Sequence, residues 1–203
     1  MALKLIFCCA IAYLLGSVPF ALVIGKVFFK KDIRKYGSGN LGGGNAGRVL
    51  GKKAGLAVMT LDILKVTLAV LIANLIAGGQ GAMVAAGLAA AVGHCFPVFA
   101  RFKGGKAVAT MYGFLFGMWV IGGYTAWVFF LPLLAFLVIL YLTKIIALAS
   151  IGSALAVTLF ALIAVHSWPL TGALAVFSAV IVWRHRPNLE RIKNGTENKI
   201  SWM

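Results

Sequence analysis

The chain alternates long apolar runs with short polar breaks. Apolar residues dominate 3–25, 55–77, 82–99, 107–121, 124–142, 145–165 and 167–183. A helix needs about 20 apolar residues to cross a hydrocarbon layer about 30 Å thick. The pattern therefore predicts an all-α fold, a polytopic membrane helical bundle with about seven transmembrane spans. Run 107–121 is short for a span and predicts a partly re-entrant segment or a locally thin bilayer. The breaks at Gly78-Gly79-Gln80, Gly122-Gly123, Thr143-Lys144 and His166-Ser167-Trp168-Pro169 are so brief that consecutive helices should run antiparallel. Gly81, Ala85, Ala89 and Gly93 recur every four residues and predict a smooth face for close helix packing in lipid.

Composition strengthens the membrane reading. Of 203 residues, 62% are hydrophobic and only 11% charged, whereas a soluble domain is about one quarter charged. The chain reads as one membrane domain over 1–203, with no soluble module attached. Cys8, Cys9 and Cys95 all lie in apolar runs and read as small buried hydrophobes, not as a disulfide framework.

Charge then orients the spans. The formal net charge is +15, from 19 Lys and Arg against 4 Asp and Glu. Lys4 alone precedes the first run, while Lys26, Lys30, Lys31, Arg34 and Lys35 follow it. That balance favours an uncleaved helix over a signal peptide. It also places the N-terminus outside, because Lys and Arg stay on the cytoplasmic side. Seven spans then put the C-terminus inside. The cytoplasmic segments become loops of about 26–54, 100–106 and 143–144 and a tail of 184–203. Every Lys and Arg except Lys4 and Lys65 falls in them.

Three polar clusters stand on that face. In the first, Gly37-Ser38-Gly39-Asn40-Leu41-Gly42-Gly43-Gly44-Asn45-Ala46-Gly47-Arg48, glycines let successive backbone N–H groups turn inward as an anion nest. Ser38, Asn40 and Asn45 add neutral polar groups, and Arg48 adds a fork that can hold phosphate bidentately. The second runs Gly93-His94-Cys95-Phe96-Pro97 and then Arg101-Phe102-Lys103-Gly104-Gly105-Lys106, directly before an apolar run. Glycines at a helix entry leave the first N–H groups to an anion, which the helix dipole favours. The nucleotide P-loop spacing is not met, because Ala107 follows Lys106. His94 has a second reading, as a partner for backbone freed by Pro97. The third cluster, from Trp183-Arg184-His185 through Asn188, Arg191 and Gly195 to Glu197, reads either as a phosphate site or as a basic tail on anionic lipid.

Asp62 and Lys65 stand three apart within the second run and share a helix face. Charges at that depth pair with each other or point at a site. The four carboxylates, Asp32, Asp62, Glu190 and Glu197, show no metal-ligand spacing, so no metal and no cofactor is expected. No aromatic-rich soluble module suggests nucleic acid as a partner.

In order along the chain, these clusters resemble the bacterial acyl-phosphate:glycerol-3-phosphate acyltransferases, integral membrane enzymes. The resemblance rests on Gly37-Ser38-Gly39-Asn40 with Asn45 and Arg48; on Gly93-His94, Pro97 and Phe102-Lys103-Gly104-Gly105-Lys106; and on Arg184-His185, Asn188, Arg191, Gly195 and Glu197. Gly43-Gly44 departs from a common Ala-Thr, and Ala107 stands where glycine often follows the second lysine. The resemblance implies an enzyme of the bacterial inner membrane with its active site on the cytoplasmic face. It implies transfer of a fatty acyl group from acyl phosphate to the primary hydroxyl of glycerol 3-phosphate. The products would be lysophosphatidic acid and phosphate, the first acylation of phospholipid synthesis. Implied partners are glycerol 3-phosphate, fatty acyl phosphate and membrane lipid.

On this basis the catalytic candidates are Ser38, Asn45, Arg48, Lys106 and His185. The substrate-binding candidates are Gly37, Gly39, Asn40, Gly42, His94, Lys103, Gly104, Gly105, Arg184, Asn188 and Glu197. The 37–48 loop and the C-terminal cluster would hold the acceptor, and 103–106 the acyl phosphate. Ser38, Asn45 and backbone amides would stabilise the oxyanion. The general base is either His185 or the leaving phosphate. The alternative function is a transporter of organic phosphates, which would want polar groups at mid-membrane reached from both sides.

Overall fold

The computed structural model describes residues 1–200, and their regular structure is helical throughout. The helices are α1 (Ala2–Gly16), α2 (Phe20–Phe29), α3 (Gly43–Leu50), α4 (Lys52–Ile76), α5 (Gly79–Cys95), α6 (Val108–Val120), α7 (Trp127–Thr143), α8 (Ile146–Phe160), α9 (Trp168–Arg184) and α10 (Arg186–Lys193). Each of the seven apolar runs becomes helix. Among the described residues, four stretches are long and apolar enough to cross a membrane: Ala2–Phe29, Lys52–Ile76, Gly79–Ala100 and Ile146–Val165. The other three apolar helices, α6, α7 and α9, are shorter. The 13 residues of α6 reach only about 20 Å at 1.5 Å per residue.

The polar segments differ from the expected loops. The stretch 26–54 is largely helical, holding the end of α2, a single turn at Ile33–Lys35, all of α3 and the start of α4. The described part of the tail contains α10. The first apolar run is also broken. Pro19 has no N–H to continue the ladder, so α1 stops at Gly16 and α2 restarts at Phe20.

The chain forms two compact units, Met1–Gly122 and Gly123–Met203. In the first, glycines set the helix crossings. A Cβ on Gly16 would overlap the Ala90 backbone, and one on Gly93 would overlap Tyr13 O, so α1 and α5 touch backbone to backbone. Gly113 lies against Ile63 O where α6 crosses α4, and Gly55 lies against Gly47 where α4 meets α3. Lipid gives no hydrophobic drive between helices, so close backbone approach and dispersion must supply the association. The four-residue stripe on α5 is only partly used. Gly93 is buried, Ala85 and Ala89 are half-buried, and Gly81 is exposed. Gly93 joins Ala90 in the close contact with α1, while Gly87, off the stripe, lies under the Phe114 ring.

Burial is inverted relative to a water-soluble protein. Along α4, Leu56, Leu64, Leu68 and Leu75 face outward, while Asp62 and Lys65 are buried. That distribution suits a hydrocarbon surround, in which charges turn inward.

In the second unit, α7 packs on α8 with Ile139 seated over Gly152. Thr158 and Ser178 hydroxyls meet at 2.9 Å between α8 and α9. At one end Tyr124 and Ser167 hydroxyls meet at 2.8 Å. At the other, Ile200 N–H donates to Lys144 O at 2.8 Å and ties the tail to the α7–α8 turn.

Candidate active site

The first glycine-rich cluster is a turn stapled by one amide. Asn45, in the first turn of α3, is buried. Its Oδ1 accepts from Ser38 N–H at 2.9 Å. Its Nδ2 donates to Tyr36 O at 3.2 Å and reaches Ile33 O at 3.5 Å. Gly37 lies at φ +59, and a Cβ there would collide with Asn45 Oδ1. Glycine is therefore required twice over, by backbone hand and by space. Upstream, Arg34 grips Asp32 with two bonds, Nε to Oδ1 at 2.9 Å and Nη2 to Oδ2 at 2.6 Å. The guanidinium holds the Asp32 carboxyl well below the usual carboxylate range.

This stapling divides the candidates by what they can do. The Asn45 amide is committed to the turn, and it occupies the Ser38 N–H. Ser38 itself is exposed, so its hydroxyl is the group it presents outward. Arg48 is exposed one turn further along α3. Its Nη2 lies 4.0 Å from where a Cβ on Gly44 would stand, so the guanidinium folds back over the start of the helix. Gly42 caps α3 with no side-chain hydrogen bond. The N-terminal N–H groups, Arg48 and the Ser38 hydroxyl together suit an anion. Gly39 (φ +68) closes the turn over Arg34 O, and Asn40 is half-buried beside Gly42.

The second cluster rests on His94. Gly105 N–H donates to His94 O at 2.9 Å. A Cβ on Gly105 would overlap the His94 ring, and one on Gly104 would overlap His94 O and the Pro97 ring. Neither glycine has a positive φ. They are small because the loop lies directly on the end of α5, not because the backbone turns left-handed. The left-handed residues are Arg101, Phe102 and Ala107. Ala107, at φ +62, caps the entry to α6. Lys103 is exposed and Lys106 half-buried. The two clusters share a foundation: Ala100, just ahead of the second, belongs to the same buried apolar group as Ile33, Leu41 and Ala46.

The Nδ1 edge of the His94 ring turns to the charge pair on α4. Lys65 Nζ lies 2.6 Å from Asp62 Oδ1 and 3.2 Å from His94 Nδ1. It also donates to Val18 O at 2.9 Å, in the break between α1 and α2. Sequence reasoning found the pair but not its connection to the glycine loop, which needs α4 and α5 side by side.

The third cluster belongs to the second unit. His185 is buried at the junction of α9 and α10. Its Nδ1 lies 2.7 Å from Ile181 O. A carbonyl only accepts, so Nδ1 carries the proton and Nε2 is the basic nitrogen. Glu197 folds back onto α10, accepting from Asn188 Nδ2 and from Arg191 Nε, each at 2.7 Å. Asn188 and Glu197 thus brace the turn around Gly195. Arg191 is a residue that the candidate set omitted, although its Arg-to-Glu spacing in the motif signals the pairing. Arg184 is half-buried at the last turn of α9, with its guanidinium 5.8 Å from the Trp183 ring centre.

Known proteins resemble this chain over nearly its whole length. The sequence profile described as Glycerol-3-phosphate acyltransferase matches residues 6–195. A glycerol-3-phosphate acyltransferase of Enterococcus faecalis is 45% identical, with 98% of this chain and 94% of the relative covered. One from Listeria monocytogenes is 44% identical with both chains covered in full. Among solved structures, PlsY, an integral membrane glycerol 3-phosphate acyltransferase, is 37% identical. In its glycerol 3-phosphate form it superposes with a TM-score of 0.88, covering 97% of this chain and 96% of that one. In its lysophosphatidic acid form the TM-score is 0.85, with 97% and 95% covered. The profile spans the glycine turn, the His94 loop and the third cluster as far as Gly195, and on that ground the chain belongs to the glycerol-3-phosphate acyltransferase family.

Proposed function

We propose that this chain transfers a fatty acyl group from acyl phosphate to the primary hydroxyl of glycerol 3-phosphate, releasing lysophosphatidic acid and inorganic phosphate. The observation that carries this reading is the common base of the 33–48 and 100–107 segments. Two glycine-rich, basic loops stand on one buried apolar cluster. A reaction with a phosphate on each substrate needs two such places. The related PlsY was solved with glycerol 3-phosphate and with lysophosphatidic acid, the acceptor and the product of this reaction.

In the reaction, the hydroxyl oxygen attacks the acyl carbonyl carbon, and the bond from that carbon to the phosphate oxygen breaks. The hydroxyl proton passes to His185 Nε2 or to the departing phosphate. Arg48 holds a substrate phosphate as a fork. The Ser38 hydroxyl donates to the oxyanion, on a turn that Asn45 holds rigid. Lys106 steadies the departing phosphate as a point charge. Gly37, Gly39, Asn40 and Gly42 shape the first loop, and His94, Lys103, Gly104 and Gly105 the second. By the family resemblance, Arg184, Asn188 and Glu197 are further substrate-binding residues of this reading.

The same reading makes this one membrane domain of seven spans in the bacterial inner membrane. Its N-terminus is outside, and its C-terminus and active site are on the cytoplasmic face. The test is release of inorganic phosphate from an acyl phosphate by the purified protein in detergent. Release that depends on glycerol 3-phosphate and matches lysophosphatidic acid formed supports it. Release without acceptor dependence, or none at all, refutes it.

A further inference from the structure

Three charged or polar side chains lie in the interior of the first unit with little solvent contact. Asp62 is 1% exposed, and Lys65 and His94 are each 6% exposed. Ionised groups at this depth are costly unless fully paired. Lys65 meets that demand: its three ammonium protons have Asp62 Oδ1, Val18 O and His94 Nδ1 within 3.2 Å. The Phe20 ring covers it at 5.6 Å. The same His94 Nδ1 lies 3.2 Å from Lys65 Nζ and 3.6 Å from Asp62 Oδ1, so the pair grips the ring at that edge. The Nε2 edge is the part of the ring that a Cβ on Gly105 would strike. The ring plane is thus held at one edge by a buried ion pair and bears on the glycine loop at the other.

We propose that Asp62 and Lys65 are positioning residues for the 103–106 loop. They act through His94, whose ring sets where Gly105, and with it Lys106, stands. This rests on the reading of 103–106 as a phosphate loop. Asp62 and Lys65 touch no substrate. Their work is to keep one imidazole in one orientation under a loop that has no side chains of its own at 104 and 105. The arrangement also explains why a polar triad persists where apolar packing would serve stability equally well.

The test uses the full-length protein and measures KM for acyl phosphate and for glycerol 3-phosphate separately. Asp62→Asn/Lys65→Met removes both charges together, so neither is left stranded. The expected result is a folded protein in which one KM rises at least about tenfold, since displacing a binding group by about 1 Å can cost on the order of a hundredfold. The other KM stays within about twofold. Lys106→Ala should raise the same KM, which also identifies the phosphate that the loop holds. Wild-type values for both KM in the folded double variant overturn the positioning role and leave the pair purely structural. A fall in kcat alone, or an equal rise in both KM values, overturns it too. Should the double variant not fold, His94→Asn decides, because it keeps a polar group near Nδ1 but removes the ring edge beneath Gly105. The same selective rise supports the role, and unchanged KM values in the folded variant overturn it. If Lys106→Ala leaves both KM values unchanged, the phosphate reading itself has failed. If only the Asp62, Lys65 and His94 variants are silent, the failure belongs to the positioning role alone.

Discussion

Arg48 and Asn45 sit three positions apart on α3 and do different work. Arg48 is exposed and reaches back over Gly44, so its value lies in the geometry of its fork. Arg48→Lys keeps the charge and loses the fork. Each charge-assisted hydrogen bond lost is worth about 1.5–3 kcal/mol, so the KM for glycerol 3-phosphate should rise more than tenfold with the fold intact. Steady-state kinetics at saturating acyl phosphate would show it, and wild-type behaviour would reduce Arg48 to a positive-inside residue. Asn45 is buried and engaged on both sides of its amide. Asn45→Ala leaves buried partners unsatisfied, at about 1–3 kcal/mol. It should therefore lower the melting temperature as well as activity. A loss of kcat with unchanged thermal stability would instead make the amide a direct participant. Ala107 stands at φ +62, where an L-residue carries about 1–2 kcal/mol of strain. Its methyl is fully buried, which offsets part of that strain.

At the scale of elements, the two loops are rigid for different reasons. The loop before α6 lies on the end of α5, so the space at Gly105 is set by the His94 ring. Gly105→Ala must push that ring or the loop aside. Activity should fall at least about a hundredfold, by analogy with an ångström-scale misplacement of reacting groups. The double variant Gly105→Ala/His94→Ala, with the ring removed, should regain thermal stability relative to Gly105→Ala. Equal melting temperatures would show that the ring is not what the methyl meets. The turn before α3 depends on Asp32 and Arg34. The folded Asp32 carboxyl titrates below its ordinary value of about 3.9, chiefly through its hydrogen bonds from Arg34. The pair's stabilisation is therefore present above that value and is lost as pH falls through the lower folded one. Stability between pH 5 and 8 should not change on this account. Asp32→Asn should remove only an acid-sensitive part, at most about 1 kcal/mol for a partly exposed pair, visible as a flatter stability curve below pH 4.

For the whole molecule, the claim at risk is the membrane topology. Four stretches are long enough to cross unaided, and α6, α7 and α9 are not. Seven crossings with the N-terminus outside place Gln80 and His166 on the outer face and residue 40 on the inner one. In a variant lacking Cys8, Cys9 and Cys95, cysteines introduced at Gln80 and at His166 should react with an impermeant maleimide added outside intact cells. A cysteine at Asn40 should react only after the cells are opened. External labelling at position 40 would invert or recount the spans.

The sequence alone determined the class of fold, the seven helical runs, the family and the three clusters. Those follow from local quantities: the length of an apolar run, the side on which Lys and Arg accumulate, and glycine placed beside basic residues. The break at Pro19 lay within reach of the same reasoning, since a missing N–H is a local fact. What Asn45, His94 and Glu197 do lay beyond it. Asn45 was expected at the oxyanion and instead holds the turn that presents Ser38, because the 33–38 backbone curls back over α3. The packing of Gly104 and Gly105 on His94 was not legible either, because it follows from α5 ending directly beneath them. Only the Gly93 end of the small-residue stripe on α5 enters the contact with α1, because a partner helix selects the face. Asp62 and Lys65 could be paired from their spacing. Their link to His94 joins residues about thirty positions apart, and only the packing of α4 against α5 brings those atoms within hydrogen-bond range.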